Sequence, residues 1–424
     1  MLTLQKHAIR KGLLLEFYIF AALSFLMISQ LKDLANYIAT LLYIFLCILS
    51  FSKLSGIKRT TLMVCFFCIF YIISSIPNGD FFYCVKYTFY YLLIFSPVLF
   101  FNIYIDDKNL KKDEIQFGLL IFVSIWIVVS LISLRLYFQD STIARSLTND
   151  SSNFSETIIG GYELAYGSVL LSVYLMGELL NTKLLKPLKL LYIVLLCIMI
   201  LLVFMTQSTL TSFSLILGIF TSFIMFVKNS RRKSIIVFSL AFIAISFVLI
   251  SLYYDSIVYL LSSSFSTKDE SLFSRRIAEV IGSVFYNDQT RHYNLRTSVV
   301  EQSINLFFES PFIGHGYKYG NIFYAGKVYG IGNHSEFFDS LARFGIIGSI
   351  PIFYIYCSGL RNIKHHRLSL IVSFFVLIMF NPFISFAPNL ALFVIIPFFE
   401  RLNHDCDIPF VPLEQSPKQS GLFV

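Results

Sequence analysis

Long apolar runs, separated by short polar connections, set the pattern of this chain. A helix needs about 17–25 apolar residues to cross a hydrocarbon core of roughly 30 Å. Runs of this kind lie at approximately 13–29, 34–52, 61–77, 87–105, 116–138, 162–180, 187–205, 210–227, 234–254, 345–359, 368–385 and 387–400. They are continuous rather than alternating at every second position, which argues against the strand pattern of a transmembrane β-barrel. The pattern therefore predicts an all-α polytopic membrane protein with about twelve transmembrane helices.

The basic residues indicate how these helices are oriented. They cluster in every second connection, in the groups Lys6–Lys11, Lys53–Arg59, Lys108–Lys112, Lys183–Lys189, Lys228–Lys233 and Arg361–Arg367. Because cytoplasmic connections are enriched in lysine and arginine, this alternation predicts that both termini are cytoplasmic. It continues along the chain only if the long polar stretch 255–344, between the ninth and tenth helices, lies on the outer face. The net charge of +8 is spread over these connections and does not indicate nucleic-acid binding.

Composition supports the same class of protein. Hydrophobic residues make up 56% of the sequence and charged residues only 14%, whereas a soluble domain is about one-quarter charged. We expect a single membrane domain over 1–424, with a smaller outward loop at 139–161, a large outward loop at 255–344 and a cytoplasmic tail at 401–424. Most of the seven cysteines lie in apolar runs, so no disulfide framework is expected.

Two short amphipathic helices are predicted within the large loop. In 296–310 the apolar residues at helical spacing are Val300, Ile304, Phe307 and Phe308, and Pro311 ends the pattern. In 335–344 they are Phe337, Phe338, Leu341 and Phe344, with Gly345 as the helix terminator. Such helices lie at the membrane surface or pack over the bundle, so their polar residues are expected at the level of the lipid headgroups.

His334 is the most informative polar residue of this loop. It follows the Gly332-Asn333 turn and precedes the second amphipathic helix, whereas an isolated outward histidine is more often simply solvated. A histidine has an unperturbed pKa of about 6.5, so its neutral ring accepts a proton at neutral pH.

The outward arginines are a second group of candidates, because a guanidinium can bind a phosphate through its planar fork of donors. These arginines are Arg145, Arg275, Arg276, Arg291, Arg296 and Arg343.

Other kinds of site are not indicated. The outward His, Asp and Glu residues have no metal-ligand spacing, so no metal is expected. The sequence has no Walker-type phosphate loop, so neither ATP nor another cofactor is expected. Residues 255–344 carry eight basic and nine acidic side chains, which argues against a general anion-binding surface. For a single arginine the alternative reading is a surface ion pair.

The order of motifs in the large loop resembles the O-antigen polymerase and O-antigen ligase superfamily. The chain has Ser310-Pro311-Phe312-Ile313-Gly314-His315-Gly316, then Asn333-His334-Ser335, then Arg343-Phe344-Gly345-Ile346-Ile347-Gly348. Arg296 stands fifteen residues before Pro311, where the family also has an arginine. The resemblance implies that Gly314, Gly316, Gly345 and Gly348 shape the loop. The layout of about twelve spans with one large late periplasmic loop is similar as well.

The chain departs from this family at two places. Family members often carry Thr-x-Ser-Arg before the eighth span, whereas this chain has Thr206-Gln207-Ser208-Thr209. Arg145 and Arg276 are candidates to replace the missing arginine. The family's His-Asn pair is here His334-Ser335, with Asn333 before it.

The resemblance implies glycosyl transfer at the periplasmic face of the bacterial inner membrane, without a nucleotide sugar. The donor would be a glycan on polyprenyl pyrophosphate. His334 would act as base on the acceptor hydroxyl, and Arg296, with Arg145 and Arg276 as further candidates, would bind the pyrophosphate. Membrane lipid, a chain-length regulator and a flippase are the candidate partners, and no nucleic acid is expected.

The sequence leaves several functions open. The first is an O-antigen polymerase that joins repeat units. The second is the ligase that transfers finished glycan to lipid A–core, and a capsule or exopolysaccharide polymerase is a related possibility. A flippase or transporter of lipid-linked oligosaccharide belongs to a different class and should have charges along a membrane path. Here Glu16 is the clearest deep charge, whereas Arg135, Glu163 and Glu178 lie near span ends.

Overall fold

A computed structural model gives the architecture of a large part of the chain. It describes residues 59–75, 81–105, 112–139, 161–180, 186–206, 208–229, 291–316, 322–324, 327–329, 331 and 334–405. The predicted spans at 13–29, 34–52 and 234–254 lie outside these residues. So do residues 140–160 of the smaller loop and 406–424 of the tail.

The described elements are almost entirely helical. They are α1 (Arg59–Ser75), α2 (Phe81–Ile94), α3 (Ser96–Phe100), α4 (Lys112–Gln139), α5 (Tyr162–Leu180), α6 (Lys186–Met205), α7 (Thr209–Asn229), α8 (Arg291–Glu309), α9 (Glu336–Asn362), α10 (Arg367–Phe380), α11 (Phe386–Leu390) and α12 (Ile396–Glu400). Three π-helical segments, Phe101–Ile105, Ala391–Ile395 and Arg401–Asp405, continue α3, α11 and α12. Between α8 and α9 lies an antiparallel hairpin of β1 (Ile322–Tyr324) and β2 (Lys327–Tyr329), in which Phe323 pairs with Val328.

The helices have the length and composition of membrane spans. Among the described residues, five are long and apolar enough to cross a membrane: Lys112–Gln139, Tyr162–Leu180, Leu188–Met205, Leu210–Val227 and Glu336–Asn362. Two shorter apolar helices are Arg59–Ser74 and Arg367–Phe380. The prediction of a helical membrane protein is confirmed. The count of twelve spans and the orientation of the termini stay predictions.

The two predicted spans at 368–385 and 387–400 are divided differently in the structure. Helix α10 ends at Phe380, and Asn381 has an extended backbone with φ −143° and ψ 154°. A residue before proline is disfavoured in the helical region, so Pro382 ends this helix earlier than hydropathy indicates. The chain becomes helical again at Phe386 and stays helical to Asp405, beyond the predicted start of the tail at 401.

An aromatic cluster packs α1 and α2 against α9. The ring of Phe344, fully buried, meets Phe67, Tyr71 and Tyr91 edge to face, with ring centroids 5.0, 5.6 and 5.7 Å apart. Edge-to-face pairs of this kind add to the free energy gained by burial alone. The cluster therefore holds α9 against α1 and α2 at Phe344, next to the polar residues of the large loop.

Two carboxylates tie the helices together at the other end of the bundle. Glu178 of α5 is fully buried, and its two oxygens lie 2.9 Å from His366 Nε2 and 2.9 Å from Asn403 Nδ2. Oε1 of Glu400 accepts hydrogen bonds from the backbone N–H groups of Lys364 and His365, and lies 2.8 Å from the His365 ring. These pairs connect α5 and the end of the described chain to the turn between α9 and α10. The hydrogen bonds of Glu178 therefore have a structural role, because they join helices of the bundle.

Replacing Glu178 by Gln is expected to destabilise the bundle by roughly 1–3 kcal/mol, because glutamine offers one oxygen where two are used. Thermal unfolding in detergent measures the effect. Glu163→Gln, at an exposed position of the same helix, is the matched control and should change stability little. Equal melting temperatures for the two variants would contradict the assignment.

Candidate active site

Helix α9 is sharply kinked at Gly345, where the large loop meets the membrane part of the chain. Gly345 has φ 61° and ψ −171°, far from helical values, while the residues on both sides remain helical. A break of this kind removes the regular bonds from residue i to residue i−4. The donors Ile346 N and Ile347 N and the acceptors Ala342 O and Arg343 O therefore need other partners.

The turn after α8 supplies all four partners. Ile346 N donates to Pro311 O at 2.8 Å, and Ile347 N donates to Phe312 O at 3.2 Å. In return, His315 N donates to Ala342 O at 3.0 Å and Gly316 N donates to Arg343 O at 2.8 Å. We call this four-bond exchange between residues 311–316 and 342–347 the backbone splice. It satisfies these four groups and fixes the turn to the kink of α9.

Three glycines of the motif have the left-handed backbone that the splice requires. Gly314 has φ 74°, Gly316 φ 61° and Gly345 φ 61°. A Cβ on Gly314 would lie 2.5 Å from Arg343 O, and one on Gly345 would lie 2.4 Å from the carbonyl carbon and oxygen of Phe312. Gly348 has a different role, because a Cβ there would lie 2.5 Å from the ring of Phe70 on α1. Gly314, Gly345 and Gly348 thus permit close approach of backbone and rings, whereas Gly316 contributes its positive φ.

His315, within the splice, has a structural hydrogen bond. Its Nε2 lies 2.8 Å from the carbonyl oxygen of Leu306, which can only accept, so the ring donates to the end of α8. Glu309 Oε2 is 3.7 Å from the same nitrogen. The ring therefore caps the carboxyl-terminal end of α8.

The two amphipathic helices of the loop are present, and α8 buries a stripe beside the one that its apolar residues mark in the sequence. Among the described side chains of α8, Val299, Ser303 and Leu306 are buried, spaced as one helical stripe. Phe307 is partly buried, whereas Phe308 is 71% exposed and Phe312 beyond the helix is 65% exposed. The buried stripe includes Ser303 because this hydroxyl has a hydrogen-bond acceptor on α9.

That acceptor is Asp339, which joins α8 to the start of α9. Ser303 Oγ donates to Asp339 Oδ1 at 2.6 Å, and Ser335 N donates to Asp339 Oδ2 at 3.0 Å. Ser335 is the N-cap of α9, and its Oγ accepts from Phe338 N at 3.4 Å. The arrangement resembles a capping box with the reciprocal acceptor one residue further along. His334, immediately before this cap, lies in a bend and is exposed.

Glu336 fixes the same helix end to the break between α10 and α11. Its buried carboxylate accepts from Ser340 Oγ at 3.0 Å and from Ile384 N at 2.9 Å, and its own N–H donates to Asn381 O at 3.0 Å. One turn beyond Asp339, Arg343 Nη1 donates to Tyr91 Oη at 3.3 Å. The first two turns of α9 thus carry a carboxylate–arginine cluster on one face.

The structure describes the predicted site residues to different extents. His334 is exposed beside the N-cap of α9, and Arg296 lies on α8, with only its backbone described. Arg145 and Arg276 lie outside the described residues. Among the described residues, no group of three His, Cys, Asp or Glu side chains could hold a metal ion.

Sequence reasoning did not single out Ser303, Glu336 or Asp339, and it treated Arg343 only as an outward arginine. A signal was available, because residues 336, 339, 340 and 343 are spaced so that they share one face of a helix. Counting these charges as part of a near-neutral loop concealed that pattern.

These features define a multi-pass helical membrane protein with a polar site built on two helices at one end of its bundle. A family model described as O-antigen ligase matches residues 194–353, from the middle of α6 to the second half of α9. The matched residues include the whole motif region, and the match confirms the resemblance to the O-antigen polymerase/ligase superfamily that the motifs indicate. No curated protein matches the chain. The family supports glycosyltransferase-like chemistry of the polymerase or ligase type, with a lipid-linked glycan as substrate and a membrane setting.

Proposed function

We propose that this chain is an O-antigen or related surface-polysaccharide polymerase. It joins oligosaccharide repeat units carried on polyprenyl pyrophosphate at the periplasmic face of the bacterial inner membrane, in a chain of about twelve spans with cytoplasmic termini. The observation that carries the proposal is the link through Asp339 between α8, which bears Arg296, and the cap that follows His334. The family match supports the reaction class.

The reaction needs one base and one stabilised leaving group. The acceptor hydroxyl oxygen attacks the anomeric carbon of the donor while His334 takes its proton. The bond from that carbon to the pyrophosphate oxygen breaks, and the pyrophosphate keeps the electron pair. Arg296, with Arg145 and Arg276 as further pyrophosphate ligands, stabilises the charge that develops on this leaving group. The proposed step uses no metal, because the arginines neutralise the charge of the departing pyrophosphate.

The ligase is the second candidate, because the matching family model is described as O-antigen ligase. A deletion strain separates the two functions. Loss of a polymerase leaves lipopolysaccharide capped with a single repeat unit, whereas loss of a ligase leaves uncapped core and accumulated lipid-linked polymer. Lipopolysaccharide capped with a single repeat unit would support the polymerase. Uncapped core with accumulated lipid-linked polymer would show that the chain is a ligase instead.

Reconstitution separates catalysis from transport. The purified full chain in proteoliposomes, given lipid-linked repeat units, should produce longer lipid-linked glycans. Movement of the lipid-linked unit across the bilayer without any lengthening would identify a flippase instead. A chain-length regulator and a flippase are proposed partners in the cell, and the reconstituted assay omits both.

Arg296→Ala is expected to lower the turnover by about 10²-fold, because a preorganised donor to the leaving group is lost. The rate of lengthening in proteoliposomes measures the effect. Arg291→Ala, at the start of the same helix, is the control and should retain most of the activity. Full activity of Arg296→Ala would remove this residue from the mechanism.

A further inference from the structure

A single buried carboxylate connects the two helices that carry the proposed reacting groups. Asp339 is only 4% exposed, and each of its oxygens accepts a short hydrogen bond from a different segment of the chain. Oδ1 binds the hydroxyl of Ser303 on α8, and Oδ2 binds the backbone N–H of Ser335 at the cap of α9. Hydrogen bonds to a buried charged acceptor are about twice as strong as those between neutral groups.

Both contacts lie close in sequence to a proposed reacting residue. Ser335 directly follows His334. Ser303 follows Arg296 by seven residues, which is nearly two helical turns, so the two positions share one face of α8 about 10 Å apart. By spacing along the helix, position 296 is in line with the stripe of Val299, Ser303 and Leu306.

We propose that Asp339 is a positioning residue that sets α8, and with it Arg296, in register with the His334 bend. This inference rests on the proposed function, since it concerns the relative placement of the base and the pyrophosphate ligand. The backbone splice fixes only the carboxyl-terminal end of α8, through the turn at 311–316. The bond from Ser303 to Asp339 is a side-chain contact that holds α8 closer to Arg296 than the splice does.

The neighbouring carboxylate has a different set of partners. Glu336 binds Ser340 on its own helix and Ile384 N in the break after α10, and neither contact involves α8. Glu336 therefore anchors α9 to the bundle, whereas Asp339 connects α9 to the loop helix. Variants of the contact between Asp339 and α8 can therefore be compared with variants of contacts within α9, which separates effects on catalysis from effects on stability.

Ser303→Ala is the most specific variant, because it removes the contact with α8 and leaves the bond from Ser335 N to Asp339 in place. We expect it to lower kcat by roughly 10- to 100-fold through misplacement of Arg296. Ser303→Thr keeps a hydroxyl and should recover most of this loss. Asp339→Asn keeps the shape but provides one acceptor oxygen where two are used, and it should be at least as impaired as Ser303→Ala.

Ser349→Ala is the matched control. Ser349 is also buried, and its hydroxyl donates to Ser340 O at 2.9 Å within α9, away from α8. Both serine variants lose one buried hydroxyl, but Ser303→Ala also leaves a carboxylate oxygen without its donor, so it should lower the melting temperature at least as much as Ser349→Ala. Only Ser303→Ala should lower kcat beyond what the loss of folded protein explains.

The decisive measurement combines Ser303→Ala with Arg296→Ala in the full chain in proteoliposomes. If Ser303 acts through Arg296, the double variant is no slower than Arg296→Ala alone, because residues that act as a unit are not additive. Multiplied losses, or a fully active Ser303→Ala beside an impaired Arg296→Ala, would overturn the positioning role and leave the proposed function intact. Full activity of Arg296→Ala itself would instead count against the proposed mechanism.

Discussion

Replacing Gly345 by alanine is expected to remove most of the folded, active protein. The residue has φ 61° and ψ −171°, a region that essentially only glycine adopts and that costs other residues about 1–3 kcal/mol. The larger effect is steric, because the new Cβ would lie 2.4 Å from the backbone carbon and oxygen of Phe312. Neither atom can move without separating the turn from α9, and separation leaves the four groups of the splice without partners.

The setting makes this loss severe. An unpaired backbone group costs several kcal/mol where no water can reach it, and the splice lies within Glu336–Asn362, a helix apolar enough to cross a membrane. Thermal unfolding in detergent should show a large drop in melting temperature, and cells carrying the variant should lack long-chain polysaccharide.

Gly118→Ala on α4 is the control for Gly345→Ala. Its backbone does not have a positive φ, and the nearest atom to the new Cβ is the tip of the Phe398 ring at 2.9 Å. A ring can shift where a backbone carbonyl cannot, so this variant should remain folded and active. A Gly345→Ala protein with an unchanged melting temperature and a normal glycan ladder would show that the splice is dispensable.

His334→Ala is expected to reduce glycosyl transfer by about 10²–10⁴-fold while leaving the fold intact. His334 is exposed at the bend before the cap of α9, where a side chain can be removed without leaving a cavity. The rate of chain lengthening in proteoliposomes measures the change, with thermal unfolding as the parallel measurement.

His315→Ala is expected to have the opposite balance of effects, with a larger loss of stability than of catalysis. Its ring donates to Leu306 O, so its loss should lower the melting temperature more than it lowers the turnover of the protein that remains folded. Normal long-chain polysaccharide from His334→Ala would exclude this residue as the base. A large loss of turnover in a fully stable His315→Ala would reassign the role within the same loop.

Hydropathy predicted the membrane helices well because lipid imposes a simple requirement. Every backbone group in the hydrocarbon region needs an internal partner, so a long apolar run is almost always a helix. The glycines were recognisable for a related reason. Gly345 stands where the polar loop returns to an apolar run, Gly314 lies in the turn that follows Pro311, and both have a positive φ.

The packing of α8 could not be inferred from its apolar residues. In a soluble protein the most apolar stripe of a helix faces the core. Beside a membrane that stripe can face lipid, and here Phe308 is exposed while Ser303 is buried against Asp339. The buried contacts of Glu336 with Asn381 and Ile384 join residues 45 and 48 positions apart, and a single sequence does not reveal such pairs.

The backbone splice also has a consequence for how the protein is made. Residues 311–316 leave the ribosome before residues 342–347, so one half of the exchange already exists when the other half is synthesised. The part of α9 that begins at Ile346 is made with two donors that its own helix cannot satisfy, because Gly345 interrupts the ladder. Folding of this part of α9 is therefore coupled to capture of residues 311–316, which are synthesised first. A chain in which the turn after α8 is misplaced is expected to leave these donors unpaired and to fail at α9 as well.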